Sequence, residues 1–451
     1  MTFLEELTAR TGDFAAFLSH NFLTLSIIVG VGLYLTFRLR FVQIAGFRHA
    51  FNVVRGKYSK TTDQGEVNHF QALATALSAT VGMGNIAGVA TAIAMGGPGA
   101  LFWMWVTASV GMATKFAEST LSVKFRQIDA KGEIAGGPMY TLLHGLKFKK
   151  LASVYALFAL ITALVIGNLV QANSVVDGLA FIWPDLKQHG WIVGVLMAVP
   201  VGLVIIGGVR RIAKAASAIV PFMAILYIGG ALIVLLTHAE RIPGAFATIF
   251  NHALNPWAVG GGAVGSAIQW GVIRGLFSNE AGLGSSAMAH AAARTNEPAR
   301  EGLVAMLEPF VDTLIICSMT GLAIVVTGVY QTAGAGDSTS VTAQAFAAGL
   351  GPAGAGILGI SIVLFAFSTM LSWSYYGDRS AEFIFGERAV LPYRLLYTVL
   401  VVVGASVPLQ LVWNLADITT VLMAIPNLIA LVLLAKLVNQ LKTDYFARYR
   451  D

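Results

Sequence analysis

Eleven stretches of this sequence are long and apolar enough to cross a lipid bilayer, a passage that takes about 20 mostly apolar residues. They run over 18–37, 67–95, 98–125, 149–181, 188–208, 212–237, 262–293, 300–329, 353–384, 391–408 and 411–438. This excludes a disordered chain and a water-soluble enzyme. Of 451 residues, 56% are hydrophobic and 12% charged, with a mean hydropathy of +0.74; the charged share is about half that of a soluble domain. The expected fold class is an all-α polytopic membrane protein. Glu5 and Glu6 stand where a signal peptide would carry basic residues, so the first span is expected to be retained.

The net charge of +6 follows from where the basic residues fall, and nucleic acid is not expected as a partner. Arg38, Arg40, Arg48, Arg55, Lys57 and Lys60 follow the first span, and Lys124, Arg126, Lys131, Lys147, Lys149 and Lys150 the third. Arg210, Arg211 and Lys214, then Arg294 and Arg300, then Arg379, Arg388 and Arg394 follow the fifth, seventh and ninth. Lys436, Lys442, Arg448 and Arg450 end the chain, whereas the opposite side holds Arg10, Lys187 and Arg241. With eleven spans this bias places the N-terminus outside and the C-terminus in the cytoplasm. Segment 41–54 is too short and polar to span; Phe41, Ile44, Phe47 and Phe51 recur at helical spacing, so it reads as an interfacial helix.

Two spans are anomalous. The second carries Ser78-Ala79-Thr80-Val81-Gly82-Met83-Gly84-Asn85, and the seventh carries Gly275 to Ser286, both at mid-membrane. Each has a Gly-x-Gly among polar residues. A glycine costs a helix about 1 kcal/mol relative to alanine, so the pattern favours local unwinding over close packing. Unwound backbone in a bilayer must line a buried or wet cavity. Each break opens a block of five spans, and five is odd, so the two blocks enter the membrane from opposite sides. That is an inverted repeat, with the site where the breaks meet. The expected organisation is residues 1–66 (N-terminal spanning helix and interfacial helix), 67–237 (first repeat), 238–261 (outer loop), 262–440 (second repeat) and 441–451 (cytoplasmic tail). A second outer connection covers 330–352.

At such a site half-helix N-termini offer free N–H groups to a carboxylate, and freed carbonyls accept from an ammonium or coordinate a cation. The expected carboxylate site is the backbone of Gly82, Met83 and Gly84 with Asn85; the amine is expected at the carbonyls near Phe277, Ser278 and Asn279. Gln171 reads either as a substrate contact or as an interhelix hydrogen bond, and Trp373 either as a wall of the pocket, with Phe277 and Met83, or as helix packing. The charged residues Lys115 and Glu118 sit three apart and can pair along their helix. Glu308 and Asp312 sit four apart on one face, so a cation such as Arg274 or a bound proton is expected between them. Arg274 and Glu280 flank the second break. A static ion-pair network is expected in preference to a proton relay. The one cysteine, Cys317, reads as a small apolar helix residue and excludes an intramolecular disulfide. No phosphate-binding loop is present, which argues against an ATP-driven pump.

Ser78–Ala94, Gly96–Val106 (GGPGALFWMWV), Gly111–Glu118, Gly136–Tyr140 and Gly275–Ser286 together resemble the alanine or glycine:cation symporters. The resemblance covers nearly the whole chain. It implies a LeuT-type fold, a 5+5 inverted repeat behind one additional N-terminal helix, in a bacterial or archaeal cell membrane. It implies Na⁺-coupled import, occasionally H⁺-coupled, of a small neutral amino acid, without an enzyme activity, cofactor or obligatory protein partner. An uncoupled exchanger or facilitator is the alternative. The family often has Thr where this chain has Met83, which leaves alanine, glycine and glutamine open. The LeuT-type pattern places Na⁺ at Ser78 and Val81 of the first break and at Phe365, Ser368 and Thr369 of the ninth span. A second Na⁺ would take Thr80, Asn85 and Ser278.

Overall fold

The computed structural model describes residues 3–19, 21–60, 62–129, 132–254, 262–332 and 338–449, so residues 255–261 and 333–337 of the two expected outer connections lie outside the described residues. The chain is helical: α1 (Phe3–Ser19), α2 (Phe22–Arg38), α3 (Phe47–Val54), α4 (His69–Thr80), α5 (Val89–Gly96), α6 (Gly99–Phe125), α7 (Lys149–Leu164), α8 (Gln171–Ala180), α9 (Gly190–Ile205) and α10 (Gly208–Thr237). Then follow α11 (Ile242–Leu254), α12 (Gly262–Asn279), α13 (Ala287–Ala291), α14 (Pro298–Ala305), α15 (Ser318–Thr327), α16 (Thr339–Leu350), α17 (Pro352–Phe385), α18 (Val390–Gly404) and α19 (Leu409–Arg448). Wide π-helical turns at Gly84–Gly88, Val165–Val170 and Phe310–Cys317 join neighbouring helices.

Among the described residues, five helices are long and apolar enough to cross a bilayer unaided, and two bent pairs would each add one. This is fewer than the eleven expected, for physical reasons. The helix α6 buries Lys115 and Glu118, α9 and α18 are short, and the seventh stretch is interrupted after Asn279. Three expectations differ from the structure in detail. The connections 238–261 and 330–352 are not plain loops: α11 and α16 lie within them, their apolar faces packed on α6 and on α17. The segment expected as a tail, 441–451, is helical as far as Arg448, where α19 ends, and Lys442 Nζ anchors it on the Leu39 carbonyl at 2.6 Å. An extra helix, α1, precedes the first expected span and packs against α19.

Glycine lets these helices approach closely. A Cβ at Gly271 would lie 2.5 Å from the Ala100 carbonyl oxygen, and one at Gly275 would lie 3.3 Å from Thr107 Cβ. This is how α12 seats on α6. The first interrupted helix, α4 and α5, packs against α10 and α17 through α4 and against α12 through α5, which brings its break onto the second one.

Candidate functional site

The helix α4 is started by a reciprocal cap, Asn68 with Gln71, and ends where Val81 leaves helical geometry at ψ 87°. The axis turns by 52° before the helix resumes. Asn85 Oδ1 accepts from the Gly82 N–H at 2.9 Å and so holds the turn. Gly82 and Gly84 serve close approach. A Cβ on Gly82 would lie 2.5 Å from the Thr369 hydroxyl and 3.4 Å from Gln171 Oε1; one on Gly84 would lie 3.1 Å from Ser278 Cα.

The second break is built differently. Glu280, Gly282 and Gly284 have φ of +55°, +103° and +72°, a conformation that glycine adopts freely and glutamate does not. Glu280 is held there by Ser285 Oγ, donating to it at 2.5 Å, and Trp373 Nε1 at 3.0 Å. The freed N–H groups of Gly282 and Gly284 donate to Glu118 Oε1 at 2.8 and 3.1 Å, and Asn427 Nδ2 donates to the same oxygen at 2.8 Å. Glu118 therefore braces the break and does not pair with Lys115, whose Nζ lies 3.0 Å from Glu308.

One carboxylate joins the two breaks. Asp312 accepts from Asn85 Nδ2, from Ser278 Oγ and from Thr313 Oγ1, each at 2.7 Å. Cys317 is not merely apolar filler: its sulfur lies 3.3 Å from Asn85 Nδ2 and 3.2 Å from Ser278 Oγ. Thr320 and Thr342 donate to the Asn85 and Ile86 carbonyls at 2.7 and 3.1 Å. Tyr227, 2.6 Å from Thr320 Oγ1, stacks on Phe346 and lies 5.2 Å from the tilted ring of Phe365. None of Asp312, Thr313, Thr320 and Tyr227 had a sequence signal placing it at the break, except that Asp312 is an acid inside a span.

Met83, Gly84, Asn85, Gln171, Phe277, Ser278, Asn279 and Trp373 are all buried. Gln171 Oε1 accepts from the Met83 N–H over a long 3.4 Å, so it reaches the first break as a side chain. Asn279 turns to Thr313 and to the Ala281 N–H. Trp373 packs over Gly167 besides bonding Glu280, and Phe277 lies 4.9 Å from Trp413, ring to ring.

Ser368 and Thr369 face the first break. Ser368 Oγ lies 3.0 Å from the Phe365 carbonyl oxygen and 3.5 Å from that of Ser78, and Ser78 Oγ donates to the Ser368 carbonyl at 2.7 Å. Thr369 Oγ1 is buried with no hydrogen-bond partner among the described residues. A hard cation takes oxygen ligands, and here the hydroxyls of Ser78 and Ser368 and the Ser78 carbonyl, in the last turn of α4, lie around an unused hydroxyl on α17, so the residues fit Na⁺. Thr80, by contrast, turns its hydroxyl back onto its own helix, to Ala76 at 3.3 Å, and does not join Asn85 and Ser278.

Arg274 does not sit between Glu308 and Asp312. It makes a two-pronged bond to Asp417, 3.1 Å on each prong, under the Trp413 ring. Glu308 goes to Lys115 and His290, because the π-helical turn starting at Phe310 rotates Asp312 away from it. Removing one partner of a buried pair strands the other charge, at a cost of roughly 3 kcal/mol. Arg274→Ala is therefore expected to lower the melting temperature sharply, and adding Asp417→Asn to restore part of it. An unchanged melting temperature for Arg274→Ala would show that the pair carries no stability.

Residues 4–451 match the sequence profile described as the Sodium:alanine symporter family. The sodium/alanine symporter AgcS of Methanococcus maripaludis is 46% identical over 420 residues, 92% of each chain. The probable sodium/glutamine symporter GlnT of Bacillus subtilis is 37% identical, covering 94% of this chain and 87% of its own. Among solved structures, MhsT in complex with L-phenylalanine aligns with a TM-score of 0.61 at 13% identity, over 82% of this chain and 89% of its own; at that identity the likeness is one of fold.

Proposed function

Because the chain belongs to the sodium:alanine symporter family, a family of transporters and not of enzymes, we propose that it imports alanine or glycine with Na⁺ by alternating access. One observation carries the reading: the Thr369 hydroxyl, without a partner among the described residues, stands beside Ser368, whose own hydroxyl faces the Ser78 carbonyl of an interrupted helix. Interrupted helices supply both half-helix N–H groups and free carbonyls to a zwitterion and its ion. The amino acid lies between the breaks, its carboxylate at Gly82, Met83 and Gly84, where Gln171 Oε1 already stands as an acceptor. Its amine meets the carbonyls around Phe277, Ser278 and Asn279. The near contact of Gly84 with Ser278 favours a small side chain over glutamine. A second Na⁺ would take Asp312 with Asn85 and Ser278, in place of Thr80.

The same reading gives eleven spans as a 5+5 inverted repeat behind one N-terminal helix, with the N-terminus outside. Helices too short or too charged to cross alone do so inside a bundle that buries their polar groups. The test is uptake of labelled alanine, glycine and glutamine into proteoliposomes with and without an inward Na⁺ gradient. Alanine or glycine uptake is expected to rise at least about tenfold with Na⁺, a difference of about 1.4 kcal/mol, and glutamine to lag behind. Equal uptake without Na⁺ would favour an uncoupled facilitator, and preferred glutamine would overturn the substrate.

A further inference from the structure

A chain of buried acid–base pairs runs from the start of α4 to the middle of α6, apart from the residues assigned to amino acid and Na⁺. His69 Nδ1 lies 2.5 Å from Glu301 Oε2, and Glu301 Oε1 lies 2.6 Å from His290 Nδ1. His290 Nε2 lies 2.8 Å from Glu308 Oε1, and Glu308 Oε2 lies 3.0 Å from Lys115 Nζ. All five side chains are at most 2% exposed. A neutral imidazole has one N–H and one bare nitrogen. His290 has a carboxylate oxygen at hydrogen-bond distance from both nitrogens, so a neutral ring between two carboxylates would turn a bare nitrogen toward an anion. The array closes only with one further proton, carried as imidazolium or as a carboxylic acid. His69 needs none: its Nδ1–H serves Glu301, and its Nε2 has no partner among the described residues.

We infer that Glu301, His290 and Glu308 form a proton-binding site, and that release of its proton accompanies opening of the inner face. The inference rests on the transport reading and its orientation. The charges around the site are of both signs. On α6 stand Lys115 and Glu118, with Arg126 at its end toward Glu301; Glu280 follows α12, and Tyr376 lies on α17. Lys115 faces the carboxylates Glu118, Glu280 and Glu308, and Glu308 is faced by His290 as well. The elements joined are those that must part. His69 lies on the inner half of the first interrupted helix and His290 on that of the second; Glu301 is on α14, which packs against both, Lys115 on α6, which packs against the second, and Glu308 on a turn that packs against the first. The same end is fastened by Arg126, which donates to the Ala291, Ala293 and Thr295 carbonyls at 2.6 to 2.8 Å. Without the proton, one His290 hydrogen bond becomes a repulsion between the inner halves.

Two measurements test this, Na⁺-driven alanine uptake against internal pH and alkylation of the sole cysteine, Cys317, in purified protein. Cys317 borders the breaks and is buried, so its reaction with a water-soluble maleimide, normalised to a free thiol at the same pH, reports opening. Both readouts are expected to rise about threefold between about pH 6 and about pH 8.5 in the wild type. Both are expected to be flat in His290→Gln, which removes the titrating ring. Glu301→Gln, which removes one of the two anions and keeps a donor toward the histidines, gives the same flat profile if His290→Gln does not fold. A flat wild type, or a variant with the wild-type slope, overturns the inference. If the Na⁺ gradient drives no uptake, the symport reading fails, and Cys317 labelling still decides the proton site.

Discussion

Replacing Ser368 and Thr369 together by alanine is expected to abolish Na⁺-stimulated uptake in a protein that still folds. The fold tolerates the change because the hydroxyls do little for it. That of Thr369 has no partner among the described residues, so its loss removes a buried orphan. That of Ser368 reaches, among the described residues, the Phe365 carbonyl of its own helix, the Ser78 carbonyl at 3.5 Å and the Met223 sulfur, a loss of about 1 kcal/mol. The cation loses two of its oxygen ligands. A hundredfold rise in the Na⁺ concentration for half-maximal uptake, about 2.8 kcal/mol, is the smallest effect the assignment permits. Uptake against Na⁺ concentration in proteoliposomes, beside a melting curve, measures both halves. Unchanged Na⁺ dependence would remove these hydroxyls from the ion site.

What the sequence made legible was the backbone chemistry. Gly-x-Gly flanked by polar residues inside an apolar stretch marked both interruptions, because composition alone sets the cost of helix there. It did not distinguish their mechanisms. Gly82 and Gly84 are glycine so that Thr369 and Ser278 can approach, whereas Gly282 and Gly284 are glycine because the chain there runs at positive φ. The partners of the charges were not legible, since each lies on another helix. Arg274 finds Asp417, 143 residues away, and Lys115 finds Glu308 although Glu118 is one turn along its own helix. Nor was the π-helical turn at Phe310–Cys317, which sends Glu308 and Asp312 into separate networks although their spacing puts them on one α-helical face. Spacing rules hold only while the helix keeps its period. Helices α11 and α16 were read as loops for a related reason: their Gly, Pro and Ser content resembles turn sequence, and their apolar faces are explained only by the helices they cover.

Gly84→Val is expected to lose amino-acid binding, while Met83→Thr keeps it. The backbone at Gly84 lies against the second break so closely that a Cβ would sit 3.1 Å from Ser278 Cα and 3.3 Å from Phe277 Cδ1. Valine adds two more carbons there, and the neighbours that must yield include backbone. The breaks would be forced apart where their N–H groups and carbonyls have to converge on one small ligand. A loss of at least about a hundredfold in affinity follows, about 2.8 kcal/mol. Met83→Thr leaves both glycines, adds no bulk and brings a hydroxyl beside Gln171, so affinity for alanine is expected to change by less than about tenfold and tolerance of polar side chains to widen. The carboxylate is the group these N–H donors recognise, and it carries the charge that a half-helix N-terminus favours; alaninamide, which lacks that charge, is expected not to compete. Binding to purified protein by scintillation proximity, with alanine and alaninamide as competitors, separates the outcomes. If alaninamide competes as well as alanine, the carboxylate is held elsewhere. If Gly84→Val binds normally, the contact between the breaks is packing, and the amino acid lies outside it.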